Sequence, residues 1–209
     1  MLETIIKIPT LWSQSGKNYH FTDDGIYITV DTLAFEKTVI AKSDLVSLRF
    51  GVKWIKGLYV PIGRHFFIEL KLNDGTVIPI KFSSYYGIKK QLYTERYQEL
   101  INAVWEYIFK PDFFDVMARF KRGEELYISD VEIDRSGVSW DGKEKLPWDK
   151  IELSSYRTYF VIKHTDNYKF NTSRNFLNDW DSYLLQQVSK AIIKQRAEIA
   201  DRKFKVNLN

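Results

Sequence analysis

Twice along this chain, runs of alternating apolar and polar residues give way to apolar residues spaced three and four apart. Alternation lines one face of a strand, whereas three-four spacing lines one face of a helix. Strands followed by a helix, met twice, point to antiparallel sheets each covered by one helix. In the first half, Ile26, Ile28 and Val30 alternate with Tyr27 and Thr29. Phe66, Ile68, Leu70 and Leu72 alternate with Phe67, Glu69 and Lys71, and Ile78, Ile80 and Phe82 continue the period. Asn73-Asp74-Gly75, between the last two runs, predicts a tight hairpin with positive φ at both central residues. Pro79 lacks an amide donor and predicts an edge strand or a bulge.

Tyr97, Leu100, Ile101, Val104, Trp105 and Ile108 then predict a helix of about five turns. Pro111 should end it and mark a domain boundary. A short helix through Phe113, Val116, Met117 and Phe120 is expected to start there and to stop at Gly123. The second half repeats the order. Leu126-Tyr127-Ile128 reads as a strand, Val138 and Trp140 follow a Ser-Gly turn, and Ile151, Leu153 and Ser155 alternate, as do Phe160 and Ile162. Asp166-Asn167 predicts a hairpin. A closing helix is expected to carry Phe176, Trp180, Leu184, Val188, Ile192 and Ile199 on one side. Its tail from Lys190 is basic, which suits a helix C-terminus.

Laid on each other, the halves align in order. Asp24-Gly25-Ile26-Tyr27 matches Ser136-Gly137-Val138-Ser139. Ser43-Asp44-Leu45-Val46 matches Trp148-Asp149-Lys150-Ile151. Leu70-Lys71-Leu72 with Asp74 matches Ile162-Lys163-His164 with Asp166. The expected domains are therefore 1–110 and 111–209. By this alignment the first copy carries about 13 extra residues, placed at Phe50 to Gly63. The fold class expected is α+β, mainly β.

The 209 residues suffice for two modules of about 100 each. Aromatic residues make up 16% of the chain, which argues against disorder and leans toward strands. Net charge is only +4, so no dedicated nucleic-acid binder is indicated. No cysteine is present, which excludes disulfides, thiolate catalysis and Cys-based zinc sites. The missing disulfides, and an N-terminus without the apolar centre of a signal peptide, make a cytoplasmic location the expectation.

Antiparallel strands closed by one amphipathic helix with an aromatic on it, here Trp105 and Trp180, resemble the pleckstrin-homology (PH) superfamily, especially its bacterial PH-like members. Gly137-Val138-Ser139-Trp140 through Leu146-Pro147-Trp148-Asp149-Lys150-Ile151 looks like the early hairpin and third strand of such a module. The resemblance implies two PH-like barrels or sandwiches, each closed by its C-terminal helix. It also implies binding, scaffolding or peripheral membrane roles rather than catalysis. Phosphoinositide-binding members carry a Lys and then a Lys/Arg-x-Arg on the first hairpin. Lys17 alone matches in copy one, and Arg119, Lys121 and Arg122 of copy two fall in or beside the short helix.

Nothing in the chain reads as a catalytic set. His20, His65 and His164 are far apart in sequence, and none has a second ligand at metal spacing. No nucleophile elbow and no phosphate-binding glycine loop occurs. Asp130, Glu132 and Asp134 alternate with Val131 and Ile133, the pattern of a solvated strand face. No metal or cofactor is expected. The segment from Phe50 to Gly63 is the candidate binding element. There Arg49, Lys53, Lys56 and Arg64 interleave with Trp54, Ile55, Leu58 and Tyr59. A protein partner, met at a strand edge or a groove beside the helix, is the first expectation. The second is an anionic membrane surface, where aromatics sit at the interface and cations meet headgroups. The bland alternative packs this hairpin's aromatics onto the first module or the interface between the copies. Nucleic acid ranks third, and an enzyme with a site between the copies is the remote reading.

Overall fold

The computed structural model describes residues 3–13, 15–30 and 33–206. Met1, Leu2 and 207–209, the end of the basic tail, lie outside them. The chain divides into two compact units, Met1–Asp112 and Phe113–Asn209. It is mainly β, with four antiparallel sheets among the described residues.

In the first unit, β1 (Thr4–Pro9), β2 (Gly16–Thr22), β3 (Gly25–Val30) and β4 (Leu33–Ala41) form a four-stranded meander. A 3-10 turn, Lys42–Asp44, leads into a three-stranded meander of β5 (Leu45–Lys56), β6 (Pro61–Leu72) and β7 (Val77–Tyr85). Then comes α1 (Lys90–Val104). The alternation sorts the side chains as strands require. Phe66, Ile68 and Leu70 are buried, while Phe67, Glu69 and Lys71 between them are not. Tyr93, Tyr97, Leu100 and Val104 of α1 join the same core. Two of these tyrosines tie the helix to both sheets: Tyr93 donates to the Pro9 carbonyl at 2.9 Å and Tyr97 to that of Phe67 at 3.1 Å.

The second unit repeats this plan with shorter strands. β8 (Leu126–Ile128), β9 (Val131–Ile133), β10 (Gly137–Trp140) and β11 (Leu146–Pro147) form a four-stranded meander. A 3-10 turn, Trp148–Lys150, leads to β12 (Ile151–Ser155), β13 (Tyr159–His164) and β14 (Asn171–Asn175), and α3 (Ser182–Val206) follows. In both units the sheets stay open, and none of the four closes on itself into a barrel.

The repetition extends to single contacts. Gly25 opens β3 opposite Ala41, and Gly137 opens β10 opposite Pro147. At each, a Cβ would stand 2.1 Å from a carbonyl oxygen on the next strand, that of Ile40 or of Leu146. Only glycine permits so close an approach. The alignment at the 3-10 turns shifts by one residue from the sequence reading. Leu45 pairs with Leu72 and Ile151 with His164, so Asp44 corresponds to Lys150 and not to Asp149. Their carbonyls make the same bond, accepting from Asn73 at 2.8 Å and from Thr165 at 2.9 Å.

Three local expectations change. Pro111 does not interrupt the helix. Residues Trp105–Phe109 form a π-turn and α2 (Lys110–Arg122) continues directly, with Pro111 in its first turn. The wider turn rearranges the amide bonds where proline has no N–H to give. α2 ends at Gly123 (φ 89°), where Gly123 and Glu124 amides bond the carbonyls of Phe120 and Arg119 in a Schellman cap. Phe176 and Trp180 precede α3, and its buried positions are Ser182, Leu185, Gln186, Val188, Ser189 and Ile192. Trp180 is therefore not a helix aromatic, unlike the match drawn to Trp105. Finally, in Asn73-Asp74-Gly75 only Gly75 has positive φ (86°). The Leu72 amide bonds the Thr76 carbonyl at 2.8 Å across a three-residue loop.

Candidate functional site

The two units differ most in one hairpin. β5 and β6 share eleven ladder pairs, whereas β12 and β13 share five. Both hairpins close with the same bond, from the Gly57 amide to the Val60 carbonyl and from the Tyr156 amide to the Tyr159 carbonyl, each at 2.9 Å. The extra residues of the first copy thus lengthen two strands and do not make a loose loop. The register shifts at Val46 and again at Ile62, so each long strand also carries one bulge.

The lower part of the extension packs on its own module. Phe66 stacks on Phe82 with centroids 5.0 Å apart and meets Tyr97 at 5.2 Å, and Phe82 meets Tyr93 edge-on at 5.4 Å. The upper part does not. Leu58 and Tyr59, in the turn, are each 95% exposed. Val60, Trp54 and Tyr86 beside them are also exposed.

The six candidate residues fall on different sides of this ribbon. Arg49 and Lys53 are on the outer face with His65, Phe67 and Glu69. Arg49 Nε donates to Glu69 Oε2 at 2.7 Å, and Lys81 Nζ lies 3.2 Å from the other oxygen. Burial would raise the Glu69 carboxyl, but the bonds from Arg49 and Lys81 outweigh it and hold it below the ordinary range. Arg49 is thereby engaged in a cross-strand ion pair. Lys53 and Lys81 flank the Phe67 ring at 5.4 and 5.3 Å, and His65 Nδ1 bonds Ser83 Oγ at 2.5 Å.

Trp54 and Arg64 pair directly across the ladder on the opposite face, past the end of the core. The Arg64 guanidinium lies 4.3 Å from the Trp54 ring centroid, a cation–π stack. Lys56 pairs with Pro61, and Tyr59 caps the tip. Beneath the tip, on the Trp54 face, is a cavity of about 320 Å³ lined by Trp54, Val60, Ile62, Arg64, Tyr86 and Lys90. Gly63 lets β6 approach β7 here, because a Cβ would meet the Ser84 carbonyl oxygen at 2.4 Å. Lys53, Lys56, Arg64 and Lys90 make no ion pair with a described carboxylate. Tyr86 and Lys90 were not marked by sequence reasoning. They come from the β7–α1 junction, where Tyr86, Gly87 and Lys89 all have positive φ.

Two further concavities are lined by described residues. One, of about 600 Å³, runs beside edge strand β1 and α1 and is lined by Ile5, Ile6, Ala103 and Tyr107 with Asp23, Glu99 and Glu106 among its polar residues. The other, of about 780 Å³ in the second unit, is polar and includes Asp130, Glu132, Ser139, Lys143 and Arg174. Two of the carboxylates there are separately engaged. Glu132 accepts from Ser139 at 2.7 Å and Asp130 from Tyr127 at 3.2 Å. Asp134 lies outside that lining and pairs with Lys145 at 2.5 Å. Among the described residues no group of three His, Asp or Glu is placed to hold a metal ion. The histidines are likewise apart: His20 pairs with Glu3, and His164 Nδ1 accepts the amides of Asp166 and Asn167. No described helix is long and apolar enough to cross a membrane.

Comparison with protein-family models, curated proteins and solved structures finds no match to the chain.

Proposed function

We propose that this chain is a non-enzymatic binding protein made of two PH-like modules, attached peripherally to an anionic membrane surface by the β5–β6 hairpin. The order of a four-stranded meander, a three-stranded meander and a helix, present in each unit, supports the PH-like reading. The observation that carries the membrane reading is the hairpin tip. An exposed Leu58, Tyr59, Val60 and Trp54 share the end of the ribbon with Lys56, Arg64 and Lys90, and Lys53 lies on its other face, none of the four with a carboxylate partner among the described residues. Tryptophan and tyrosine settle at the headgroup level, and each nearby cation adds about 1 kcal/mol against an anionic leaflet. The packed lower half of the ribbon holds this tip away from the core that would otherwise bury it.

Vesicle sedimentation tests the reading. Binding to anionic vesicles at low salt is expected, weakening as salt screens the cations and lost in Leu58→Ser/Tyr59→Ser. Absence of binding by the wild-type chain at low salt would overturn it.

The groove beside β1 favours a second reading. Its apolar floor beside edge strand β1 and the carboxylate of Asp23, with Glu99 and Glu106 already paired to Arg96 and Lys110, suit an extended, mainly apolar peptide with a basic residue. Titration with a Lys/Val-alternating peptide, followed at the Ile5 and Ile6 amides, tests this seat; unmoved amides would remove it.

A further inference from the structure

We infer that the cavity beneath the hairpin tip seats the phosphate monoester of a lipid headgroup between Arg64 and Lys90. This rests on the membrane reading above and names its ligand. Arg64 on β6 and Lys90 at the start of α1 are far apart in sequence yet line one small cavity. Neither pairs with a described carboxylate. Two like charges lining one small cavity favour an anion between them. The stack on Trp54 holds the Arg64 fork in place, so little side-chain freedom is lost when it grips two phosphate oxygens. Lys90 supplies a compact charge to a third.

The lining also indicates which headgroup fits. Its polar side chains are Arg64, Ser84, Tyr86 and Lys90, and the Ser84 hydroxyl already donates to the Ile88 carbonyl at 2.7 Å. No carboxylate or side-chain amide remains for a sugar ring or for the ammonium of a serine headgroup. The remaining walls are the Trp54 ring, the apolar Val60, Pro61 and Ile62, and two glycines, Gly63 and Gly87. A bare, doubly charged phosphate matches this inventory better than a diester. The exposed Leu58 and Tyr59 directly precede Val60 of the lining, and acyl chains would lie against them.

The test compares vesicles containing phosphatidic acid or phosphatidylserine, matched for surface potential. The wild-type chain should prefer phosphatidic acid by about tenfold, the effect of roughly one strong ionic hydrogen bond. Arg64→Gln/Lys90→Gln should abolish that preference and leave weaker, charge-dependent binding to both vesicles. Lys169→Gln/Lys194→Gln, which removes two exposed charges elsewhere, should keep it. Arg64→Lys, which keeps charge but loses the fork, should reduce it and guards against misfolding of the double variant. A second arm follows the Arg64 Nε–H signal by NMR during titration with dihexanoyl phosphatidic acid and, separately, inorganic phosphate. A shift with the lipid exceeding that with phosphate is expected. Vesicle binding without a phosphatidic acid preference, or a preference that survives Arg64→Gln/Lys90→Gln, overturns the seat and leaves membrane attachment standing. An Arg64 shift without vesicle binding overturns membrane attachment and leaves the seat. Neither signal overturns both.

Discussion

The hairpins β5–β6 and β12–β13 occupy the same place in two units built to the same order, and they differ by six ladder pairs. The short one ends on Tyr156 and Tyr159, which stack on each other at 4.6 Å. The long one ends on Leu58 and Tyr59, which lie open. Lengthening a hairpin by an even number of ladder positions keeps the core face on the core. It therefore adds new surface without disturbing the old. The comparison separates what the fold needs, present in both copies, from what only one copy offers to a partner.

The largest expected effect tests where packing ends. Phe66→Ala removes a buried ring from the aromatic cluster on α1 and should cost about 3–5 kcal/mol in chemical denaturation. A loss under about 1 kcal/mol, typical of exposed sites, would mean that the lower ribbon is not part of the core. Next come the paired glycines. Gly25→Ala and Gly137→Ala should each cost about 1–3 kcal/mol, the scale of overpacking, because the added methyl meets a backbone carbonyl in both units. The loss should be the larger at Gly25, whose φ of 152° also disfavours a side chain, and a negligible loss at either would break the equivalence of the two positions.

Asp134 sharpens the contrast from the second unit. Burial would raise its carboxyl, yet bonds from Lys145, the Ser136 hydroxyl and the Gly137 and Ser136 amides outweigh this and hold it well below the usual range. Its folded value lies below the unfolded value of about 3.9. The stability it contributes is therefore complete above that unfolded value and is lost as pH falls through the folded one. Asp134→Asn should cost about 2 kcal/mol at neutral pH and flatten the acid limb of a stability-against-pH curve. An unchanged acid limb would rule this out. The smallest effect belongs to the tip. Leu58→Ser/Tyr59→Ser should change stability by less than about 0.5 kcal/mol, since neither side chain is buried. A larger loss would show that the tip serves packing.

Much of the strand pattern was legible because burial alternates with the backbone. Phe66-x-Ile68-x-Leu70 and Phe160-x-Ile162 announce their faces directly. The correspondence of Gly25 with Gly137 was also readable. Helix phase was less so. Phe176, Trp180 and Leu184 are spaced four apart and imitate a helix, but Asp181 takes positive φ (57°) just before α3 and resets the phase. Pro111 misled because its effect depends on the π-turn before it, which no local pattern announces. Of the proposed binding surface, Trp54, Tyr59 and Arg64 were visible as interleaved aromatics and cations. The division of Arg49 and Lys53 from Trp54 and Arg64 follows from the period of two. Lys90 and Tyr86 join them only through the β6–β7 ladder, a long-range pairing invisible to a local reading.

β5 has one further consequence. Over its twelve residues it carries Arg49, whose guanidinium bonds Glu69 on β6 and so stitches the ribbon across its outer face. Arg49 is thus a brace as well as a charge. Neutralising it to probe lipid contact leaves Glu69 with Lys81 alone, so a thermal melt should accompany every vesicle measurement in which it is changed.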